Sequence, residues 1–400
     1  MIIASPRALI ALSFFPLVVL FAGGFFVATN WKTALYYPDD FEGEAQQESS
    51  KTTAIIKESP RERSKHVKGI YMNEHAANSK SANGAAIREE IAALLSQTEL
   101  NAVVIDIKEA DGAYLPSSLK NYINELHEKD VWVIARISAF RDSSLREQYP
   151  EWYLWSKRAD NSLEIWQDAA GGHWLDPKGP GAQNYIIDFS KKAVDFGFDE
   201  LQFDYIRFPS DGSVGDAIYP FYNAQEEEKY DVIGEFFNKI SQDLREYDPD
   251  IILSVDLFGY VAAHQSAAEI GQRTYDAAQA FDYISYMLYP SHFYSGLQVG
   301  PDERRDLPAI NLSGETISNS PYSVIARSIF IASDYLASIG SAAKIRPWLQ
   351  DFNINKDTER GIYYDAKKVR EQILAAEESG ASGWLLWNPS AAYTKSALSP

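Results

Sequence analysis

Apolar residues follow two alternating rhythms along this chain from Val67 onward. Short β-branched and aromatic runs cover residues 67–73, 102–109, 131–140, 200–208, 251–260, 282–290, 345–352 and 382–389. Between them, apolar positions take helical spacing, as in Ile87, Ile91, Leu94 and Leu95. The same spacing recurs from Ile186 to Val194, Val232 to Leu244, Val324 to Leu336 and Val369 to Ala376. Strand and helix repeated in this way predict an α/β fold, a (β/α)8 TIM barrel over residues 67–390. A doubly wound open sheet is the alternative, but it usually carries a glycine-rich phosphate turn after its first strand, and none follows Tyr71. Residues 391–400 are too few for an eighth helix and read as a C-terminal tail.

Before Val67 the pattern changes. Residues 8–29 are uncharged and strongly apolar, bounded by Arg7 and Lys32. A helix of about 20 such residues spans the hydrocarbon layer of a membrane. A cleaved signal peptide would have a shorter apolar region and a small-x-small exit; Phe26-Val27-Ala28-Thr29-Asn30-Trp31 is a poor one. Residues 1–32 therefore read as a single-pass transmembrane anchor. Arg7 keeps the amino terminus inside and leaves the remainder extracytoplasmic. Residues 33–66 are polar, mixed in charge and aperiodic, and read as a flexible linker.

Composition narrows the chemistry. Lys and Arg number 37 against 56 Asp and Glu, a formal charge of −19. That balance speaks against a nucleic-acid partner, because phosphate binding is driven by basic residues. The absence of cysteine removes disulfides, thiol catalysis and thiolate-bound metals, and leaves the compartment open. The six histidines show no zinc-peptidase spacing. No metal site and no cofactor is expected.

Alternation within each strand run gives its inward face. Strand two presents Asp106 and Lys108, strand three Arg136 and Ser138, strand four Gln202 and Asp204, and strand five Ser254 and Asp256. Strand six adds Ser285, Met287 and Tyr289, strand seven Arg346, Trp348 and Gln350, and strand eight Trp387. The inward polar residues gather near the carboxyl ends, where barrel enzymes build their sites. Buried ionisable groups are costly unless paired or functional. Asp204 and Asp256 on neighbouring strand ends suit glycosidic cleavage, where one carboxyl is ionised and the other holds a proton. Arg136 or Arg207 would keep Asp204 ionised. The bland reading is a salt-bridge layer with Arg136 and Arg346 that fills the barrel.

Lys108 beside Asp106 and Glu109 would orient substrate hydroxyls. Trp387 is placed as a platform beneath a sugar. Trp152, Trp155, Trp166 and Trp174 either contact sugar or pack an insertion after strand three. Tyr289, His292, Trp348, Gln350 and Asn388 complete the expected substrate contacts. Asp176 reads as a turn cap, and Asp351 as an outward group bound to a loop.

Several stretches carry a family resemblance. They are Phe203-Asp204-Tyr205-Ile206-Arg207-Phe208-Pro209, Ser254-Val255-Asp256-Leu257-Phe258-Gly259 and Met287-Leu288-Tyr289-Pro290-Ser291-His292. Pro347-Trp348-Leu349-Gln350-Asp351-Phe352, Trp384-Leu385-Leu386-Trp387-Asn388-Pro389 and Gly69-Ile70-Tyr71 complete the set. Together they resemble a bacterial glycoside-hydrolase-like family, first catalogued as a domain of unknown function, in the TIM-barrel glycosidase superfamily and distantly similar to the α-amylase group. The resemblance implies an extracytoplasmic barrel, often membrane-anchored, with Asp204 as nucleophile and Asp256 as proton donor. The fifth-strand residue departs from the amylase pattern, which uses Glu. The expectation is a monomeric, anchored glycoside hydrolase acting on an envelope or extracellular polysaccharide or oligosaccharide. A non-catalytic carbohydrate-binding barrel and an envelope scaffold are the alternatives.

Overall fold

Eight parallel strands close on themselves in the computed structural model, which describes residues 58–399. They are β1 (Lys68–Met72), β2 (Ala102–Glu109), β3 (Trp132–Ser138), β4 (Glu200–Asp204), β5 (Ile252–Phe258), β6 (Tyr283–Leu288), β7 (Trp348–Gln350) and β8 (Trp384–Trp387). Each pairs with its chain neighbour, and β1 pairs with both β2 and β8, which closes the ring. Between consecutive strands lie α1 (Ala82–Gln97), α2 (Ser117–His127), α3 (Pro180–Phe196), α4 (Lys229–Tyr247), α5 (Thr274–Ala280), α6 (Pro321–Ser338) and α7 (Ala366–Glu378). The predicted (β/α)8 barrel is therefore present.

Period-two alternation divides the core in two. One set of strand residues, including Val103, Ile105, Val133, Leu201 and Leu253, packs outward under the helices. The other, including Tyr71, Val104, Trp132, Ile134 and Trp348, fills the barrel. Burying this much apolar surface is the main driving force for closure, at about 25 cal/mol per Å².

The amino-terminal end of the barrel is closed by a segment expected to be linker. Pro60–Arg63 forms a helical turn capped by Ser59, and Ser64–His66 continues it. Ser64 is buried, and its hydroxyl lies 2.9 Å from that of Tyr283. Its carbonyl accepts from Arg346, which also donates to Glu200 at 2.7 Å. The linker expectation over 33–66 is thus corrected at its carboxyl end. Two short turns with one small buried residue leave no periodicity to read.

The C-terminal tail is packed and not free. Residues 391–399 bury Ala391, Tyr393, Ala397 and Leu398. The Tyr393 hydroxyl accepts from the Tyr71 N–H at 2.8 Å and donates to the Tyr71 carbonyl at 2.6 Å. Asp351 accepts from the N–H and hydroxyl of Thr394, the loop-binding role expected of it.

The expected anchor at 8–29, and linker residues 33–57, lie outside the described residues. Among the described residues no helix is long and apolar enough to cross a membrane.

Candidate active site

The inward polar residues of β2 to β5 converge on one guanidinium. Arg136 donates from Nη1 to Asp106 at 2.7 Å, from Nη2 to Asp204, and from Nε to Asp256 at 3.3 Å. Burial disfavours its charge, but the three carboxylates overcome this and hold the guanidinium well above its ordinary range. The two aspartates expected to act together therefore share a single counter-charge.

Local backbone geometry sets Asp204. β4 ends there, and Tyr205 turns the chain with a φ of +54°, in the left-handed region that non-glycine residues rarely occupy. The Tyr205 N–H then donates to the Asp204 side chain. Strained residues of this kind persist where the surroundings enforce them, and they cluster at functional sites. Asp204 is 4% exposed, and its partners Arg136 and Tyr205 line an open cleft of about 450 Å³.

Asp256 is more deeply set, at 1% exposure. Its Oδ1 accepts from the Trp348 indole N–H at 2.8 Å. Burial first, and then the Asp204 charge, pushes its carboxyl well above the usual carboxylate range. Three carboxyls around one guanidinium leave an excess of negative charge, and a proton on Asp256 reduces it.

Trp387 forms an aromatic wall over this cluster. Its ring lies 5.0 Å from the Arg136 guanidinium and packs against Tyr71 at 3.9 Å and Trp348 at 5.6 Å. Tyr71 donates to Asp106 at 2.7 Å. Asp106, Glu109, Arg136 and Trp387 all face the cleft. A second cleft of about 440 Å³, lined by Phe258, Tyr289, His292, Phe293 and Tyr294, opens above β5 and β6. Burial there pushes the His292 imidazole below its ordinary pKa and the Tyr289 phenol above its own.

Other expected substrate contacts are placed elsewhere. Lys108 is wholly buried and pairs with Asp142 at 2.7 Å, while donating to the Ser138 carbonyl. A register shift between Asp106 and Lys108 takes it out of the inward phase. Gln350 is also wholly buried and donates to Ser291 and the Phe352 carbonyl. Asn388 donates to the Asp351 and Ala392 carbonyls and holds a turn. Trp348 positions Asp256 and does not line either cleft. Arg207 makes no ion pair with Asp204; it is stacked near Trp174, Tyr205 and Phe258 at 4.7–5.0 Å. Arg136 is the arginine that holds Asp204.

The insertion tryptophans divide. Trp166 and Trp174 are core residues, and Trp174 donates to Asp168. Trp152 stacks on Tyr149 at 4.0 Å. Asp176 accepts from the N–H groups of Lys178, Phe221 and Tyr222, a turn-capping role as expected. Two residues were not among the expected contacts, Tyr71 and Tyr205. Alternation on β1 would have found Tyr71, two residues past Gly69. Nothing local signals the left-handed turn at Tyr205.

The comparisons with known proteins agree with this architecture. A family model described as "Putative glycosyl hydrolase domain" matches residues 69–393. Among solved structures, Amy13B of Eubacterium rectale is 10% identical, with a TM-score of 0.51, over 81% of this chain and 66% of that one. The α-galactosidase TtGalA of Thermus thermophilus is 12% identical, with a TM-score of 0.46, over 81% and 58%. A hypothetical protein from Ruminiclostridium thermocellum ATCC 27405 is 28% identical, with a TM-score of 0.37, over 47% and 96%. The chain thus spans about three-fifths to two-thirds of the length of the two named glycosidases. No curated protein matches it. This chain belongs to the family described as "Putative glycosyl hydrolase domain", whose model matches residues 69–393, and its barrel is similar in fold to that of Amy13B.

Proposed function

We propose that this protein hydrolyses O-glycosidic bonds in an envelope or extracellular polysaccharide, with Asp204 as the attacking carboxylate. The observation that carries the reading is the Arg136 cluster. One cation pairs with Asp204 beside an open, aromatic-walled cleft at the carboxyl ends of the strands. Attack on an acetal carbon needs an ionised carboxylate at that place, and departure of the alcohol needs a carboxyl that still carries a proton. Asp256 supplies the contrasting charge state, since burial and the Asp204 charge favour its neutral form. It is 1% exposed, so a proton bound for a leaving group has to pass through a group that faces the cleft.

Trp387 is suited to stack on the apolar face of a sugar ring. Phe258, Tyr289 and Tyr294 offer a second such surface in the neighbouring cleft. The cleft groups fit a polysaccharide or oligosaccharide better than a small charged metabolite, because the one central cation is already saturated by carboxylates. We read residues 8–29 as a membrane anchor that holds the barrel outside the cytoplasm. That places envelope or extracellular glycans within reach.

The test is incubation of the full chain in mild detergent with a glycan panel, with products read by mass. The wild type is expected to release sugars, and Asp204→Asn to release none while still folding, as a cooperative unfolding transition would show. Equal product from the variant contradicts Asp204 as the nucleophile. Binding to glycans without any product from the wild type favours a carbohydrate-binding barrel instead.

A further inference from the structure

β2 breaks its own alternation just where it reaches the cleft. Ala102, Val104 and Asp106 face into the barrel, while Val103, Ile105 and Ile107 face the helices. Strict alternation would send residue 109 outward with this second set. The register against β3 slips between Asp106 and Lys108, so that Lys108 stands opposite Ile137. Such a bulge re-aims the side chains beyond it. Here it sends Lys108 to Asp142 and returns Glu109 to the side of Asp106, at the cleft wall. The backbone there is fixed. Glu109 is paired with Gly112 in a short antiparallel hairpin, and the next carbonyl, of Ala110, accepts from the Ser143 N–H.

Glu109 thus meets another carboxyl, that of Asp106. Two carboxyls in contact need one proton between them. Asp106 is the one of the two set against a cation, since its oxygens accept from the Arg136 guanidinium and the Tyr71 phenol. The proton belongs on Glu109. Burial, together with the hydrogen bond to Asp106, pushes the Glu109 carboxyl up to about 8. The charged and titratable groups that face it are Tyr71 on β1, Asp106 on β2, Asp111 in the hairpin turn and Tyr114 just past it, Arg136 on β3, and Arg141 on the loop after β3. Unlike Asp256, it opens onto the cleft.

We propose that Glu109 is the acid that protonates the departing oxygen, and that Asp106 positions it. This rests on the glycosidase reading above. Asp204 attacks the anomeric carbon, and the bond from that carbon to the glycosidic oxygen breaks with its electron pair passing to the oxygen. The oxygen takes the Glu109 proton and leaves as an alcohol. Glu109, now a carboxylate, then removes a proton from water. The water oxygen displaces Asp204 from the anomeric carbon, which restores both groups and releases the sugar.

The experiment uses the full chain and two substrates of the same sugar, a 4-nitrophenyl glycoside and the corresponding methyl glycoside. The sugar is one that the wild type cleaves in a panel of common hexosides and N-acetylhexosaminides. 4-Nitrophenolate leaves without protonation, whereas methanol needs it. The wild-type rate on the methyl glycoside is expected to fall as pH rises through about 8, where the acid loses its proton. Glu109→Gln is expected to lose about 10²–10⁴-fold in kcat/KM on the methyl glycoside and the alkaline limb with it, and to keep most of its kcat/KM on the 4-nitrophenyl glycoside while kcat falls there, because water is no longer activated. Asp106→Asn is expected to move that limb downward in pH without abolishing it.

Equal losses of kcat/KM on both substrates, or an unchanged alkaline limb in Glu109→Gln, overturn the assignment. So does a leaving-group-selective loss in Asp256→Asn with none in Glu109→Gln. Glu109→Asp carries the same comparison if the Gln variant does not fold, with selective loss on the methyl glycoside expected and equal loss contradictory. An active Asp204→Asn overturns the nucleophile on which this step rests, and a wild type that cleaves nothing in the panel overturns the glycosidase reading and this proposal with it. An inactive Asp204→Asn beside an unimpaired Glu109→Gln overturns this proposal alone.

Discussion

Arg136 is the residue on which the site turns. It neutralises Asp204 and Asp106 and reaches Asp256, all three nearly free of solvent. Removing one partner of a buried ion pair strands the other, typically at about 3–5 kcal/mol. Arg136→Met is therefore expected to lower urea stability by about that much and to abolish activity; an unchanged unfolding midpoint would show that the carboxylates do not depend on it. Asp106, Arg136, Asp204 and Asp256 were legible because strict alternation holds on their strands up to these positions. Lys108 was not, and Glu109 was read only as its neighbour, because alternation assumes an unbroken register and a single bulge reverses both. Gln350 is set apart from substrate for another reason. Alternation reports direction, and a residue aimed inward can still spend all its hydrogen bonds on the protein itself.

At the scale of elements, all eight strands were readable as short β-branched runs, and their bounds differ from expectation by a few residues at the ends. The closures were not readable. The turns over residues 60–66 and the tail after Pro389 carry little apolar periodicity, yet each holds one end of the barrel. Ser64 meets the buried Arg346–Glu200 pair, and Tyr393 makes two hydrogen bonds to the backbone of β1 beside Trp387. Tyr393→Phe leaves a buried N–H and carbonyl unpaired, each worth about 1–3 kcal/mol. The expected outcome is a clear fall in thermal midpoint together with weaker activity, since Tyr71 orients Asp106 and packs on Trp387. A shift under one degree would mean the tail is dispensable. A chain beginning at residue 67 is expected to unfold at lower urea than one beginning at residue 58, and coincident transitions would contradict a closing role for the turns.

For the whole molecule, charge and hydropathy point the same way. A net charge of −19 disfavours phosphate contacts, and the apolar residues 8–29 suit a bilayer. We expect the full chain to sediment with membranes through a high-salt wash and to be open to protease added outside intact cells; release by salt, or protection from protease, would contradict the anchor or its orientation. The fold could be read because a barrel repeats one motif eight times, so errors in single elements do not alter the sum. The substrate could not, because sugar identity depends on loop contacts and not on the repeat. The account rests most directly on where a sugar becomes attached. Intact-mass and peptide mapping after incubation with 2-deoxy-2-fluoro glycosyl fluorides should find one glycosyl adduct, on the peptide carrying Asp204. An adduct on another carboxyl, or release of sugars from glycans by a protein that never forms one, would contradict it.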